Sequence, residues 1–118
     1  MENLEQAQET VCARFRWAIE IIGRRWSGAV LHSLFQQPRR FCEIRERIPE
    51  ISDRMLTERL KELEQLGIVV REAEAGRPGH ASYRLTPKGE ALRPVMDQIQ
   101  AWAEAWHDDA LEDPQPPR

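Results

Sequence analysis

A mainly helical domain with one small β-hairpin, an α+β arrangement, is what this sequence predicts. Three observations carry that prediction. Apolar side chains recur every three to four residues up to Gly67. The period then shortens in "IVVREAEAGRPGHASYRL", residues 68–85, where β-branched residues flank Gly/Pro punctuation. From residue 86 a helical stripe resumes. A chain of 118 residues suits one domain with its own core. No apolar run approaches the ~18 residues that cross a bilayer. "MENLEQAQET" is too acidic for a secretory signal. Cys12 and Cys42 form neither a CxxC motif nor a disulfide framework, which points to a reducing, cytoplasmic setting.

Each element has its own reason. Val11, Phe15, Ala18, Ile19 and Ile22 share one helical face, and Gly23 is a stop. A second helix is expected over residues 24–36, with Trp26, Val30, Leu31, Leu34 and Phe35 on one side and Pro38 ending it. A short helix over residues 42–48 is closed by Pro49, because proline disfavours helical geometry in the residue before it. Ser52 caps the next helix and Asp53 suits its first turn. Leu56, Leu60 and Leu63 stack on its buried face, and Gly67 supplies a left-handed cap. Asp53, Arg54, Thr57, Glu58, Lys61 and Gln65 fall on the opposite arc. The hairpin turns near Arg77-Pro78-Gly79-His80, and Thr86-Pro87 opens the last helix. Leu92, Val95, Met96, Ile99, Trp102 and Trp106 form its stripe, with a kink expected near Glu90 from Pro94.

The formal net charge of -3 hides an uneven distribution. Residues 1–22 sum to -2, residues 23–61 to +4, residues 62–87 to -1 and residues 88–118 to -4. Phosphate binding depends on local field, so an acidic total does not exclude DNA. A short helix, a tight turn, an amphipathic helix and then a hairpin make a helix-turn-helix with a wing. On such a frame Arg54 and Lys61 can reach phosphates or guanine edges, Thr57 a thymine methyl, and Ser52 a phosphate at the helix N-terminus. Arg77 and His80 at the wing tip can lie along the backbone or minor groove. Glu58 on the same face would repel phosphate or accept from a cytosine amino group.

Several stretches make the chain resemble the HxlR-type winged helix-turn-helix transcriptional regulators, within the broad MarR-like group. "AIEIIGRRW", "PRRFCEIRERIPEIS", "RMLTERLKELEQLGIV" and "YRLTPKGEALRPVMDQIQAW" match that family's segments in order, over roughly residues 12–106. The resemblance implies a dimeric bacterial DNA-binding regulator. It divides the chain into an N-terminal extension (1–11), a winged domain with a C-terminal dimerisation helix (12–106) and a polar tail (107–118). It adds Arg39 and Arg40 as phosphate contacts ahead of the first motif helix. Arg25 stands where the family commonly has lysine, Ser82 replaces a frequent glutamate, and the tip "GRPGHAS" is atypical.

Cys12 aligns with a cysteine that senses oxidants, quinones or aldehydes in some relatives, although Ala13 replaces the usual proline. Arg14 and Arg16 favour a thiolate there; the competing reading is a buried, inert thiol. Cys42 reads as packing. Val95, Met96, Ile99, Trp102 and Trp106, with Phe15 of the first helix, are the candidate dimer interface. Four tryptophans across a two-fold would bury ~800 Å², an upper bound of ~20 kcal/mol against association costs of ~4–15 kcal/mol. The expected partners are double-stranded DNA in a roughly palindromic operator, a second copy of the chain, and a small-molecule or oxidant effector; no membrane and no cofactor is expected. The runner-up is a winged protein-interaction module without specific DNA readout. An enzyme is disfavoured: His32, His80 and His107 show no metal-ligand spacing, and no nucleophile–base pattern or phosphate loop is evident.

Overall fold

Leucine spacing, caps and proline stops place the elements where a computed structural model describes them, over residues 2–107, with side chains from residue 12 onward. In order these are α1 (Glu2–Ile22), α2 (Ser27–Gln36), α3 (Phe41–Arg47), α4 (Asp53–Gln65), β1 (Val69–Ala73), β2 (Ala81–Leu85), α5 (Pro87–Glu90) and α6 (Arg93–Trp106). The expected polar tail, 107–118, lies outside the described residues apart from His107.

The core forms where helical and strand periods converge. Val30, Leu31 and Leu34 of α2 meet Ile44, Ile48 and Ile51 around α3, then Leu56, Leu60 and Leu63 of α4. Ile68, Val69 and Leu85 close it from the hairpin. Each large side chain removed from water there contributes about 1.5–3 kcal/mol before entropy costs. The end of α4 is a Schellman closure: Ile68 N–H donates to Leu63 O at 2.9 Å and Gly67 N–H to Glu64 O at 2.9 Å. Gly67 takes φ +73°, a conformation that glycine adopts without steric cost.

Three features depart from the expected elements. The second helix begins at Ser27, because Trp26 adopts φ 75° and turns the chain; its ring packs against the core and Arg25 lies 4.9 Å above it. The closing helix is divided rather than kinked. Thr86 caps α5 by accepting from Gly89 N–H, the chain bends at residues 91–92, and Pro94 sits in the first turn of α6, where its missing N–H costs nothing. The hairpin also gains an unexpected neighbour. Arg39 pairs with Tyr83, N–H to O at 3.0 Å and 2.7 Å in the two directions, so the loop before α3 lies against β2. Gly89 matters here because a Cβ would overlap the Ile68 carbonyl oxygen, so only glycine lets α5 sit this close to β1.

Candidate nucleic-acid interface

The second helix of the motif is positioned from both ends. Ser52 Oγ accepts from Met55 N–H at 3.1 Å, and Arg45 of α3 pairs with Asp53 at 2.5 Å across the tight turn. Leu56, Leu60 and Leu63 fix its inner face, all at most 2% exposed. The outer face carries Ser52, Arg54, Thr57, Glu58 and Lys61, all exposed. Arg54 is open to solvent, with a 90% exposed side chain and a long 3.5 Å approach to Glu58. Such a surface pair is worth little and is readily exchanged for a phosphate or base. The Thr57 hydroxyl donates to Asp53 O at 2.8 Å, leaving its methyl as the readable group.

The two arginines ahead of α3 take opposite roles. Arg39 is 5% exposed; its Nε donates to Ser33 O and its Nη2 to Gln36 Oε1, both at 2.7 Å. It closes the C-terminal end of α2, where carbonyls lack helical partners, and so leaves the set of expected phosphate contacts. Arg40 stays at the surface and grips the wing. Its Nε and Nη2 donate to the two oxygens of Glu74 at 2.8 and 2.9 Å. The Arg40 hydrogen bond, followed by its charge, holds the Glu74 carboxyl below the ordinary range and raises the Arg40 guanidinium above its own.

Arg77 and His80 sit on the exposed tip, with Arg77 at 3.9 Å from Glu74. An open groove of about 420 Å³ runs between the start of α3 and the wing, lined by Arg40, Cys42, Arg71, His80 and Tyr83 among others. Arg71 was missing from the expected set. It stands opposite Tyr83 in the hairpin register, and Arg39 pairs with Tyr83 from the other side, a contact with no local signature in the sequence. Cys42, expected to pack, is exposed on this groove. Arg59, inside α4, is buried instead of solvated: Nη1 reaches Glu62 at 2.5 Å and Nη2 the Met55 sulfur at 3.2 Å.

Away from this face, α1 and α6 carry a second surface. Phe15 is 67% exposed, Trp102 68% and Trp106 74%, with Trp17, Ile19, Val95 and Ile99 also open to solvent. Met96 is half-buried against Gly28. Cys12 is exposed on α1, one turn before Phe15. Among the described residues no group of His, Cys, Asp and Glu side chains could hold a metal ion, and no helix is long and apolar enough to cross a membrane.

A capped, leucine-backed helix set behind a tight turn and flanked by a β-hairpin wing defines a winged helix-turn-helix protein. Residues 21–111 match the HxlR-like helix-turn-helix family, and the chain belongs to it. It is similar to the HTH-type transcriptional regulator YodB of Bacillus subtilis, 47% identical over 95 residues that cover 80% of this chain and 85% of YodB. A second relative, YvaP of the same species, is 40% identical over 106 residues, 90% of this chain and 98% of YvaP. Among solved structures, the reduced form of YodB from B. subtilis superposes with a TM-score of 0.75 at 43% identity, covering 84% of this chain and 96% of that one. The redox regulator HypR in its reduced form gives 0.75 at 36%, covering 80% and 94%. YodB has also been solved diamide-treated and quinone-bound. The protein is thus an HxlR-type transcriptional regulator that binds DNA, and its relatives are regulators and not enzymes.

Proposed function

We propose that this regulator works in the cytoplasm as a homodimer that lays two copies of α4 into successive major grooves of a roughly palindromic operator. The observation that carries this reading is the apolar surface on α1 and α6, where Phe15, Trp102 and Trp106 are at least two-thirds exposed. A monomer covers no such surface, whereas a two-fold copy would cover both helices at once. Ser52, Arg54, Thr57, Glu58 and Lys61 read the groove, Arg40 holds the wing and meets the backbone, and Arg77 and His80 lie along the flank.

Cys12 is the proposed switch. It is exposed on α1, one turn before Phe15, with Arg14 and Arg16 near it in sequence. An adduct there would act on the geometry of the pair and not on the reading helix itself. The redox chemistry attached to YodB and HypR supports the reading. Selection of bound duplexes from a random pool, with and without diamide or a quinone, tests both parts. An inverted repeat is expected, with binding lost on oxidant in the native chain and retained in Cys12→Ser. An asymmetric single site would overturn the dimer, and equal oxidant responses in both proteins would remove Cys12.

A further inference from the structure

Glu74 is an acid on a face meant to meet phosphates. By charge alone it should weaken binding, since DNA carries a dense negative field and the repulsion acts within about 10 Å at moderate salt. Its geometry says otherwise. Both carboxylate oxygens are held by the Arg40 fork at 2.8 and 2.9 Å, joining residues 34 apart in sequence. Two-pronged pairs of this kind fix direction as well as distance. The same residue is fixed through its backbone. Glu74 N–H donates to His80 O at 2.9 Å, Arg77 N–H donates to Glu74 O at 3.2 Å, and His80 N–H donates to Arg77 O at 3.0 Å. One residue therefore binds the start of α3 with its side chain and closes the wing tip with its main chain.

We infer that Glu74 is a positioning residue for DNA recognition, setting where Arg77 and His80 stand relative to α4. This rests on the reading surface proposed above. The two roles of the carboxylate, repelling and positioning, predict opposite signs. If it positions the wing, Glu74→Ala in the full chain leaves affinity for a non-specific duplex unchanged or raised. Affinity for the selected operator falls roughly five- to tenfold, so the specificity ratio narrows. Glu74→Gln, which keeps one accepting oxygen, falls between. Phosphate-ethylation interference should fade at the operator flanks and persist beneath α4. In the DNA-free protein, Glu74→Ala should speed amide exchange at Arg77 and His80. Parallel gains on operator and non-specific DNA would overturn the inference, as would unaltered exchange at the tip. A native chain with no operator preference fails the reading surface itself, and that outcome is seen before any variant is made.

Discussion

Leu56, Leu60 and Leu63 on α4 and Val95, Ile99 and Trp102 on α6 follow the same helical spacing. The first three are at most 2% exposed, while the second three are 43%, 47% and 68% exposed. Periodicity alone does not distinguish them. What differs is the supply of neighbours: α4 lies on α2, α3 and the hairpin, whereas no residue of α6 is buried. A stripe of this strength without an internal partner is a surface waiting for an external one. The molecule is therefore two devices sharing a chain, a closed head that holds α4 and an open pair of helices whose apolar face the proposed pairing would cover.

Substitutions on the two stripes should separate these devices. In the proposed two-fold pair Trp102→Asp would occur twice and would place a charge in the apolar contact. We expect the dimer dissociation constant to rise about a thousandfold, roughly 4 kcal/mol, by sedimentation equilibrium. Unfolding of the isolated monomer should shift by no more than about 0.5 kcal/mol. Leu60→Ala should do the reverse, lowering unfolding free energy by about 2–5 kcal/mol in a denaturant titration at fixed protein concentration. If both variants lost the same stability at every concentration, the division between closed head and open helices would be wrong.

The helices of the head were legible because each carries its own local evidence: the Ser52 cap, the leucine stripe, the Gly67 stop, the Thr86-Pro87 start. The α6 surface was legible for a related reason, since more apolar residues stood in the stripe than one small domain can cover. What escaped the sequence is non-local. Whether Arg39 faces phosphate or the end of α2 depends on a two-residue bridge to Tyr83, 44 positions away. Arg59 drew no expectation from the sequence; its partners Glu62 and Met55 lie on its own helix, but its burial depends on how α4 packs. Helical spacing had no means of showing that Trp26 would take a left-handed backbone, or that Arg40 would choose Glu74.

The arginines give the next largest effect and sharpen the contrast inside the head. Arg54→Ala should weaken operator binding by about 1–3 kcal/mol with stability intact, and lower the salt slope by about 1 if the contact is to phosphate. Arg39→Ala should instead cost about 1–3 kcal/mol of folding stability, because it orphans the Ser33 carbonyl and the Gln36 amide oxygen. Titrations of one operator with both variants, paired with thermal melts, read the two quantities. A stable Arg39→Ala protein that has lost DNA affinity would return Arg39 to the reading surface.

The smallest effect concerns pH. Glu74 is held below the ordinary carboxylate range first by its hydrogen bond from Arg40, then by the charge of Arg40, Arg77 and His80, with burial opposing. The folded wing thus binds this proton less readily than the unfolded chain does, and the tie contributes fully above the ordinary glutamate value of about 4.3. Its contribution declines as pH falls through that value and vanishes only below the lower, folded one. The stability difference between the native chain and Glu74→Gln should therefore stay level from pH 7 to about 5 and shrink only in more acidic solution. A difference that already shrinks between pH 7 and 6 would mean that the wing is held by something other than the Arg40–Glu74 pair.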